Sequence, residues 1–258
     1  IGKEENRFYL DISRNQIVSM GSLVRNVSSI PDSTLESPLA LRAKLNTKVF
    51  DVDMFLNDLT DTQLGGIRLA LMPFTSYNAE FSLSAIGIPA FSTVTGHVIS
   101  LMPGFGMILP IVDNQSTTLA LDISAYTLVD YSSANGFSQY LLSSTGTILE
   151  RFNSYLLAGG LKLKVKDFSL GLDFALHNGA LSYGMFDELF ARNQKDILAL
   201  LASPAGSQEF SAGIEAKIEK EKFSVSGSYH LPLSPAFEPD TARDMLTLAG
   251  SLDLSWFD

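Results

Sequence analysis

Apolar and polar residues alternate one by one along the second half of the chain. Between Phe168 and His177 the even positions are apolar, whereas the odd positions are polar or small. The same alternation returns over 210–219 and again over 223–231. Because successive side chains of a β-strand point to opposite faces of a sheet, this period of two predicts strands with one apolar and one polar face. A soluble β-sandwich shows the same alternation, so the pattern alone leaves open what covers the apolar face.

Twelve strands are predicted along the chain. Their first residues lie near Arg7, Leu39, Val49, Leu64, Tyr77, Gly104, Thr117, Tyr155, Phe168, Glu209, Phe223 and Leu246. Short connections at 46–48, 74–78, 113–116, 166–167 and 219–222 alternate with long ones at 16–37, 57–63, 89–103, 130–153, 178–208 and 234–244. This alternation is expected of a barrel with tight turns at one end and large loops at the other. Ten and fourteen strands are alternatives, because 104–112 is apolar on both faces and 89–102 leaves room for a further hairpin.

Composition narrows the class of protein. The chain has 258 residues, a formal net charge of −10, no cysteine and a mean hydropathy of +0.18, and it is interpreted as one domain over residues 1–258. It contains no run of about 18 apolar residues, the length that a transmembrane helix needs, but a barrel strand needs only about 9–11. Disulfides and thiolate metal sites are excluded, and no cofactor or metal is predicted. The acidic balance disfavours nucleic-acid binding.

Aromatic residues stand near the ends of the predicted strands. On the tight-turn side they are Phe8 or Tyr9, Phe50, Phe74, Tyr77, Phe168, Phe223, Trp256 and Phe257, and on the long-loop side Phe55, Tyr126, Tyr155, Phe174, Phe210 and Tyr229. Membrane barrels carry aromatic girdles at both interfaces with water. Aromatic residues also end strands in soluble β proteins.

The last predicted strand has an apolar face and an aromatic end. Its apolar face consists of Leu246, Leu248, Gly250, Leu252, Leu254 and Trp256, and Phe257 follows. In these features the chain resembles bacterial outer-membrane β-barrel proteins, although Asp258 after the aromatic residue departs from their aromatic-ended strand. The resemblance implies a transmembrane antiparallel up-and-down barrel in a bacterial outer membrane. It also implies short periplasmic turns, long extracellular loops and contact with membrane lipid.

The polar faces of the predicted strands would line the interior of such a barrel. The candidate pore-lining residues are Arg42, Lys44, Asp51, Asp53, Arg68, Glu80, Asp122, Lys162, Lys164, Asp173, Glu215, Lys217, His230 and Asp253. Because their charges nearly balance, we expect cross-strand ion pairs or a polar pore of weak selectivity. Lys162, Lys164 and Lys166 form a basic stripe, for which pairing with acidic neighbours such as Asp173 or Glu215 is the favoured interpretation. An acidic surplus in the long connections favours cations at the pore mouth.

Three long connections have an unusual composition. Apolar residues recur at near-helical spacing over 183–201 and 137–152, which predicts helical segments. Packing on the barrel rim is the favoured interpretation, with plugging, gating, membrane contact and partner docking as alternatives. The stretch 89–103 is rich in apolar residues, and it is interpreted as an inward constriction or as part of a site for hydrophobic solutes.

The sequence contains no motif of a known catalytic site. His97, His177 and His230 are its only histidines, and neither a G-x-S-x-G elbow nor an H-E-x-x-H zinc motif is present, so no enzymatic activity is predicted. The leading hypothesis is a passive or weakly selective channel for small polar solutes. A scaffold or anchoring subunit of an outer-membrane complex and a transporter of hydrophobic substrates are the alternatives. Homo-oligomers and complex partners agree with each of them, and a soluble lipid-carrying barrel is the rival at the level of the fold.

Overall fold

A computed structural model describes most of the chain and shows an all-β protein. The described residues are 7–13, 17–28, 39–59, 64–73, 79–93, 96–114, 116–132, 136–137, 154–179, 181–182, 184–186, 197, 208–220, 223–233 and 245–252. Their strands are β1 (Phe8–Ser13), β2 (Ile17–Met20), β3 (Val24–Ser28), β4 (Ala40–Asn46), β5 (Phe50–Leu56), β6 (Gly65–Leu71), β7 (Glu80–Thr93), β8 (Gly96–Asp113), β9 (Thr117–Thr127), β10 (Val129–Ser132), β11 (Gly136–Phe137), β12 (Tyr155–Val165), β13 (Phe168–Asn178), β14 (Glu209–Lys220), β15 (Phe223–Leu233) and β16 (Met245–Leu252). No helix in this part of the chain has the length and apolar character needed to cross a membrane.

Most of the described strands form one antiparallel up-and-down sheet. Its order is β1-β4-β5-β6-β7-β8-β9-β12-β13-β14-β15-β16, which confirms the predicted twelve-strand antiparallel arrangement. Two further short strands join this sheet, since β10 pairs with β8 and β11 pairs with β10, and β2 and β3 form a separate two-stranded sheet. Within the described residues β1 and β16 are not paired with each other.

The prediction of a long connection over 89–103 is wrong, because this segment belongs to two paired strands. β7 runs to Thr93 and β8 begins at Gly96, and Phe91 pairs with Val98 beyond a register shift that follows Ile88. Phenylalanine and β-branched residues favour extended backbone, which accounts for the apolar composition. The segment is therefore the end of a β-hairpin, in agreement with the alternative that 89–102 leaves room for a hairpin.

Tight turns join the strands at one end of the sheet. Lys166, with a φ of 50°, and Asp167 form a two-residue turn between Val165 and Phe168. In another turn, Oδ1 of Asn114 accepts hydrogen bonds from the backbone N–H groups of residues 116 and 117 at 3.0 and 2.8 Å. Such side-chain acceptors hold a turn by replacing backbone partners. The predicted turn at 74–78 lies outside the described residues.

The two faces of the sheet differ in exposure. In β13, Leu172 and Phe174 are 39% and 63% exposed, whereas Asp173 and Ala175 between and beside them are 8% and 5% exposed. We call the face of Leu172 the outer face and that of Asp173 the inner face. Other exposed apolar side chains at outer positions are Phe8, Ile12, Phe50, Ile67, Leu69, Leu83, Phe105, Ile123, Leu161, Ile214, Ile218, Val225, Leu246 and Leu248.

A short hairpin packs against the inner face. It consists of β2, β3 and the turn Gly21–Leu23, and it lies within the segment 16–37 that was predicted as a plain long connection. Its buried residues Val18, Met20, Leu23, Val24 and Val27 belong to the hydrophobic core. The core therefore lies on the inner face near the long-loop ends of the strands, because the hairpin covers the sheet there. We call residues 17–28 the inner hairpin.

Two aromatic residues assigned to the long-loop girdle face the interior instead. Phe55 and Tyr126 are buried members of the core. Phe55 pairs in register with Gly66 and Arg42, and Tyr126 with Gly104 and Leu156, all on the inner face. The strand parity that turns Asp53 inward also turns Phe55 inward, since the two positions differ by two residues. Phe8, Phe50, Phe168 and Phe174 do lie exposed on the outer face.

Phe55 and Phe50 offer a matched test of this assignment on one strand. Phe55 is 1% exposed and Phe50 is 37% exposed. We predict that Phe55→Ala lowers the free energy of unfolding by about 3–5 kcal/mol, because it leaves a cavity in the core. Phe50→Ala should cost about 1 kcal/mol or less. Urea unfolding in detergent micelles measures both values, and equal losses for the two variants would contradict the inward position of Phe55.

Candidate functional site

The tip of the inner hairpin sits against Tyr126 of β9. Gly21 has a φ of +62°, and a Cβ added to it would lie 1.8 Å from the Tyr126 hydroxyl oxygen. Next to it, Oγ of Ser124 donates a hydrogen bond to Oγ of Ser22 at 2.8 Å. Only glycine fits at position 21, because both the backbone angle and the close approach exclude a side chain.

The other side of the inner hairpin reaches β5 and β6. A Cβ added to Gly66 would lie 2.4 Å from the Phe55 ring and 3.1 Å from the Met20 sulfur. The missing side chain thus makes room for both groups. The inner hairpin consequently spans the interior between β5–β6 and β9.

A segment of the connection 178–208 packs against the inner hairpin. The backbone N–H of Gly184 donates to the Ser22 carbonyl at 2.8 Å, and that of Phe186 donates to the Leu23 carbonyl at 3.0 Å. Val24 and Phe186 form a parallel bridge, and both are fully buried. Burying a side chain of this size contributes roughly 1.5–3 kcal/mol. The interior at the long-loop end is therefore packed with apolar side chains.

This packing bears on the helical segments that were predicted. Within 183–201 the described residues 184–186 form a turn and a bridge, and Ile197 is helical and packs on the core. The remaining residues of 183–201 lie outside the described part of the chain. Of the segment 137–152, only Phe137 is described, as the end of β11.

Ion pairs line the inner face toward the tight turns. Asp53 accepts from Arg42 at 3.2 Å and lies 3.7 Å from the Lys44 ammonium. Arg68 on β6 pairs with Glu80 on β7. The pairs join neighbouring strands, as expected of cross-strand partners, and the paired side chains are partly shielded from solvent, which strengthens the attraction.

The basic stripe is only partly paired in the way the sequence predicted. Lys162 forms an ion pair with Asp122 on β9, and not with Asp173 or Glu215 as named from the sequence. Asp122 on β9 and Asp173 on β13 both stand opposite Gly160 in register, and Lys162 pairs with the carboxylate on the β9 side. Lys164 is exposed on the same face.

A polar cavity of about 210 Å³ lies between the inner hairpin and the sheet, with room for several water molecules. Its lining includes Asp122, Lys162, Asp173 and Glu215 from the sheet, Ser19 and Ser22 from the hairpin, and Ser124. A Cβ added to Gly160 would lie 2.5 Å from the Asp173 carboxylate, so this glycine makes room for Asp173. Because three carboxylates and one ammonium group line the cavity, its net charge is negative. No group of metal-binding side chains is found among the described residues.

The candidate pore-lining residues fall into separate groups. Asp122, Lys162, Asp173 and Glu215 meet at the cavity, Arg42, Lys44 and Asp53 form a second cluster, and Arg68 with Glu80 forms a third. Asp51, Lys164 and Lys217 occupy inner-face register positions, as does His230 opposite Gly213. Asp253 lies outside the described residues.

The inner hairpin itself was missed in the sequence. The signal that points to it is the apolar content of 17–27 around Gly21, in a segment predicted as a long connection.

Comparisons of the chain with protein-family models, with curated proteins and with solved structures give no match. The functional proposal therefore rests on the fold and on the geometry of the candidate site.

Gly21→Val is predicted to lift the tip of the inner hairpin off Tyr126. The valine Cβ cannot occupy the space of the hydroxyl, and the left-handed backbone adds a cost of about 1–2 kcal/mol. The measurement is maleimide labelling of Ser124→Cys, since this chain has no cysteine of its own. We expect the buried thiol introduced at position 124 to react slowly when Gly21 is present and about tenfold faster with Gly21→Val, which corresponds to about 1.4 kcal/mol.

Gly171→Ala serves as the control for this experiment. Its added Cβ would meet atoms no closer than 3.8 Å, so labelling should stay slow. Equal labelling rates in all three proteins would show that Gly21 does not hold the inner hairpin in place.

Proposed function

We propose that this protein is a membrane-embedded β-barrel that acts as a channel for small polar solutes. In this proposal the inner hairpin blocks the channel at its long-loop end. In this proposal β1 and β16 meet to close the barrel. We propose a bacterial outer membrane as its location, which is what the resemblance noted in the sequence implies.

The exposed outer face is the observation that carries the proposal. Apolar side chains such as Leu83, Phe174 and Leu248 are exposed on strands across the sheet. Soluble monomers rarely expose apolar patches larger than a few hundred Å², whereas hydrocarbon is a favourable neighbour for such a face. β9, β12, β13 and β15 are each 11 residues long, in line with the roughly 9–11 residues of a membrane-spanning strand.

Curvature of the sheet supports closure into a barrel. The inner hairpin contacts β5 and β6 through Met20, and it shares the polar cavity with residues of β9, β12, β13 and β14. Strands from β5 to β14 in the sheet order thus face one small hairpin, which requires strong curling. Pairing of the two edge strands would also remove exposed backbone groups that otherwise promote aggregation.

The inner face supports a polar pathway with a preference for cations. Its ion pairs and the negatively charged cavity line the route beneath the inner hairpin. The packed interior at the long-loop end leaves conduction dependent on movement of the inner hairpin. In this proposal, the hydrogen bonds and apolar contacts of the inner hairpin set how often it leaves its closed position.

A second candidate is an anchoring barrel that conducts nothing. It is favoured by the same packed interior, where Leu23, Val24 and Phe186 are fully buried, and by the tall β7–β8 hairpin, which extends beyond neighbouring strands. Conductance separates the two candidates.

A disulfide between positions 22 and 124 tests the channel. The two serine Oγ atoms are 2.8 Å apart, so the sulfur atoms of cysteines at these positions would lie close enough to form a disulfide. No other cysteine competes, because the chain has none of its own. We predict that Ser22→Cys with Ser124→Cys is silent in planar bilayers when oxidised, because the inner hairpin is then fixed. Reduction should restore the brief, mildly cation-preferring conductance steps of the parent protein.

Deletion of 17–28 and the single variant Ser22→Cys complete the test. The deletion should conduct continuously, and the single variant should respond to neither oxidant nor reductant. If the oxidised and the reduced double variant conduct equally, the proposal that the inner hairpin blocks the channel is contradicted. A deletion variant that enters the bilayer but stays silent would contradict the channel and favour the anchoring barrel.

A further inference from the structure

Charged residues on the inner face of β9, β12, β13 and β14 are separated by sign along the strands. Asp122 and Asp173 stand in one register row. Lys164 and Lys217 stand in another row, on either side of Ser169. Along β13 this second row lies nearer the tight turns, at position 169 instead of 173. We call the two rows the acidic row and the basic row.

The register row between these two has one charge of each sign. It contains Lys162 of β12 and Glu215 of β14, on either side of Gly171. From the long-loop side to the tight-turn side, the rows therefore change from negative through neutral to positive. At the strand ends beyond the basic row, Lys166 and Glu219 carry opposite charges. The inner face of these strands is thus a fixed electric dipole that is directed along the strands.

The charges on β4, β5 and β6 do not show this separation. Lys44, Asp53 and Arg68 stand in a single register row, so their signs alternate from strand to strand and not along each strand. Asp53 also forms an ion pair with Arg42 of the neighbouring strand. Because opposite charges at such short distances largely cancel each other's field, this part of the inner face adds little to the dipole. The dipole belongs to β9–β14.

A dipole in this direction attracts a solute that has opposite charges at its two ends. An ammonium group is attracted to the acidic row and a carboxylate to the basic row, whereas a solute with one charge is attracted by one row and repelled by the other. The polar cavity of about 210 Å³ next to the acidic row has room for the ammonium end.

The distance between the two rows indicates the size of the solute. Along β13 the rows are about 13 Å apart, at about 3.3 Å for each residue. An extended dipeptide spans up to about 7 Å. The flexible side chains of Lys164 and Lys217 can cover the remaining distance, since each ammonium group is carried on a four-carbon stem.

We propose that the channel takes small zwitterions of dipeptide size, with the ammonium end toward Asp122 and Asp173 and the carboxylate end toward Lys164 and Lys217. The inference rests on the proposed channel function and names its class of solute. Attraction at both ends raises the concentration of the zwitterion inside the channel. Ion pairs that are exposed to water are weak enough for the solute to leave again.

Osmotic swelling of vesicles that contain the full chain measures this preference, because it sums solute entry over many brief openings. Glycylglycine is the zwitterionic probe, and N-acetylglycinamide is an uncharged amide of similar size. After correction for vesicles without protein, we expect glycylglycine to enter about fivefold faster than the amide, which corresponds to about 1 kcal/mol.

Neutralising the basic row tests the residues that carry the preference. With Lys164→Gln and Lys217→Gln together, the two probes should enter equally fast, because the carboxylate end has lost its positive partners. Lys220→Gln is the matched control. It removes the same charge from β14, but position 220 lies on the outer face, as does Ile218 two residues earlier. This variant should keep the preference of the parent protein.

Other results would overturn the proposal. They are equal entry of both probes through the parent protein, a preference that survives the double lysine variant, and a preference that is lost with Lys220→Gln. Each of these refutes the zwitterion proposal alone, because entry of the uncharged amide shows that the channel conducts solutes. If vesicles with inserted protein admit neither probe, both the channel and its class of solute are refuted.

Discussion

Opposite demands on the two faces of each strand constrain this structure more than any single contact. A strand has a period of two, so one face of the sheet collects Leu172, Phe174 and their outer-face counterparts, while the other collects Asp173 and its ionic neighbours. A shift of one residue in register would expose every carboxylate on the apolar side and bury hydrocarbon among charges. The unbroken one-to-one register from Tyr155 to Val165 against both β9 and β13 is the consequence.

The inner face is stabilised differently at its two ends. Toward the tight turns, cross-strand pairs such as Arg42 with Asp53 satisfy the charges. Toward the long loops, the polar lining gives way to a core built on Phe55 and Tyr126, and the inner hairpin fills the space. Glycines at positions 21 and 66 permit the close approach there. The boundary between the two regions is the polar cavity around Asp173, where a mobile solute or water has room.

Periodicity explains why the sheet could be predicted from the sequence. Alternation sets the strands and the turn residues set their ends, so the twelve-strand order and the inner position of residues such as Asp53 and Asp122 follow from local pattern. The inner hairpin did not follow, because its position depends on contacts between residues about a hundred positions apart, such as Ser22 with Ser124. Phe55 was misplaced for a related reason: its place near a strand end was given more weight than the strand parity it shares with Asp53. The hairpin over 89–102 was only an alternative in the sequence analysis, because its apolar residues lack a clear alternation.

Site-directed spin labelling of β13 in phospholipid vesicles tests most directly whether the outer face meets hydrocarbon. Single cysteines placed one at a time over 170–176 would carry the labels, with no native cysteine to interfere. Positions 170, 172, 174 and 176 should collide strongly with oxygen, which dissolves in hydrocarbon, and weakly with a water-soluble nickel complex, whereas 171, 173 and 175 should be poorly accessible to oxygen. Strong collision of the even positions with the nickel complex, or the loss of alternation between neighbours, would contradict a lipid-facing barrel.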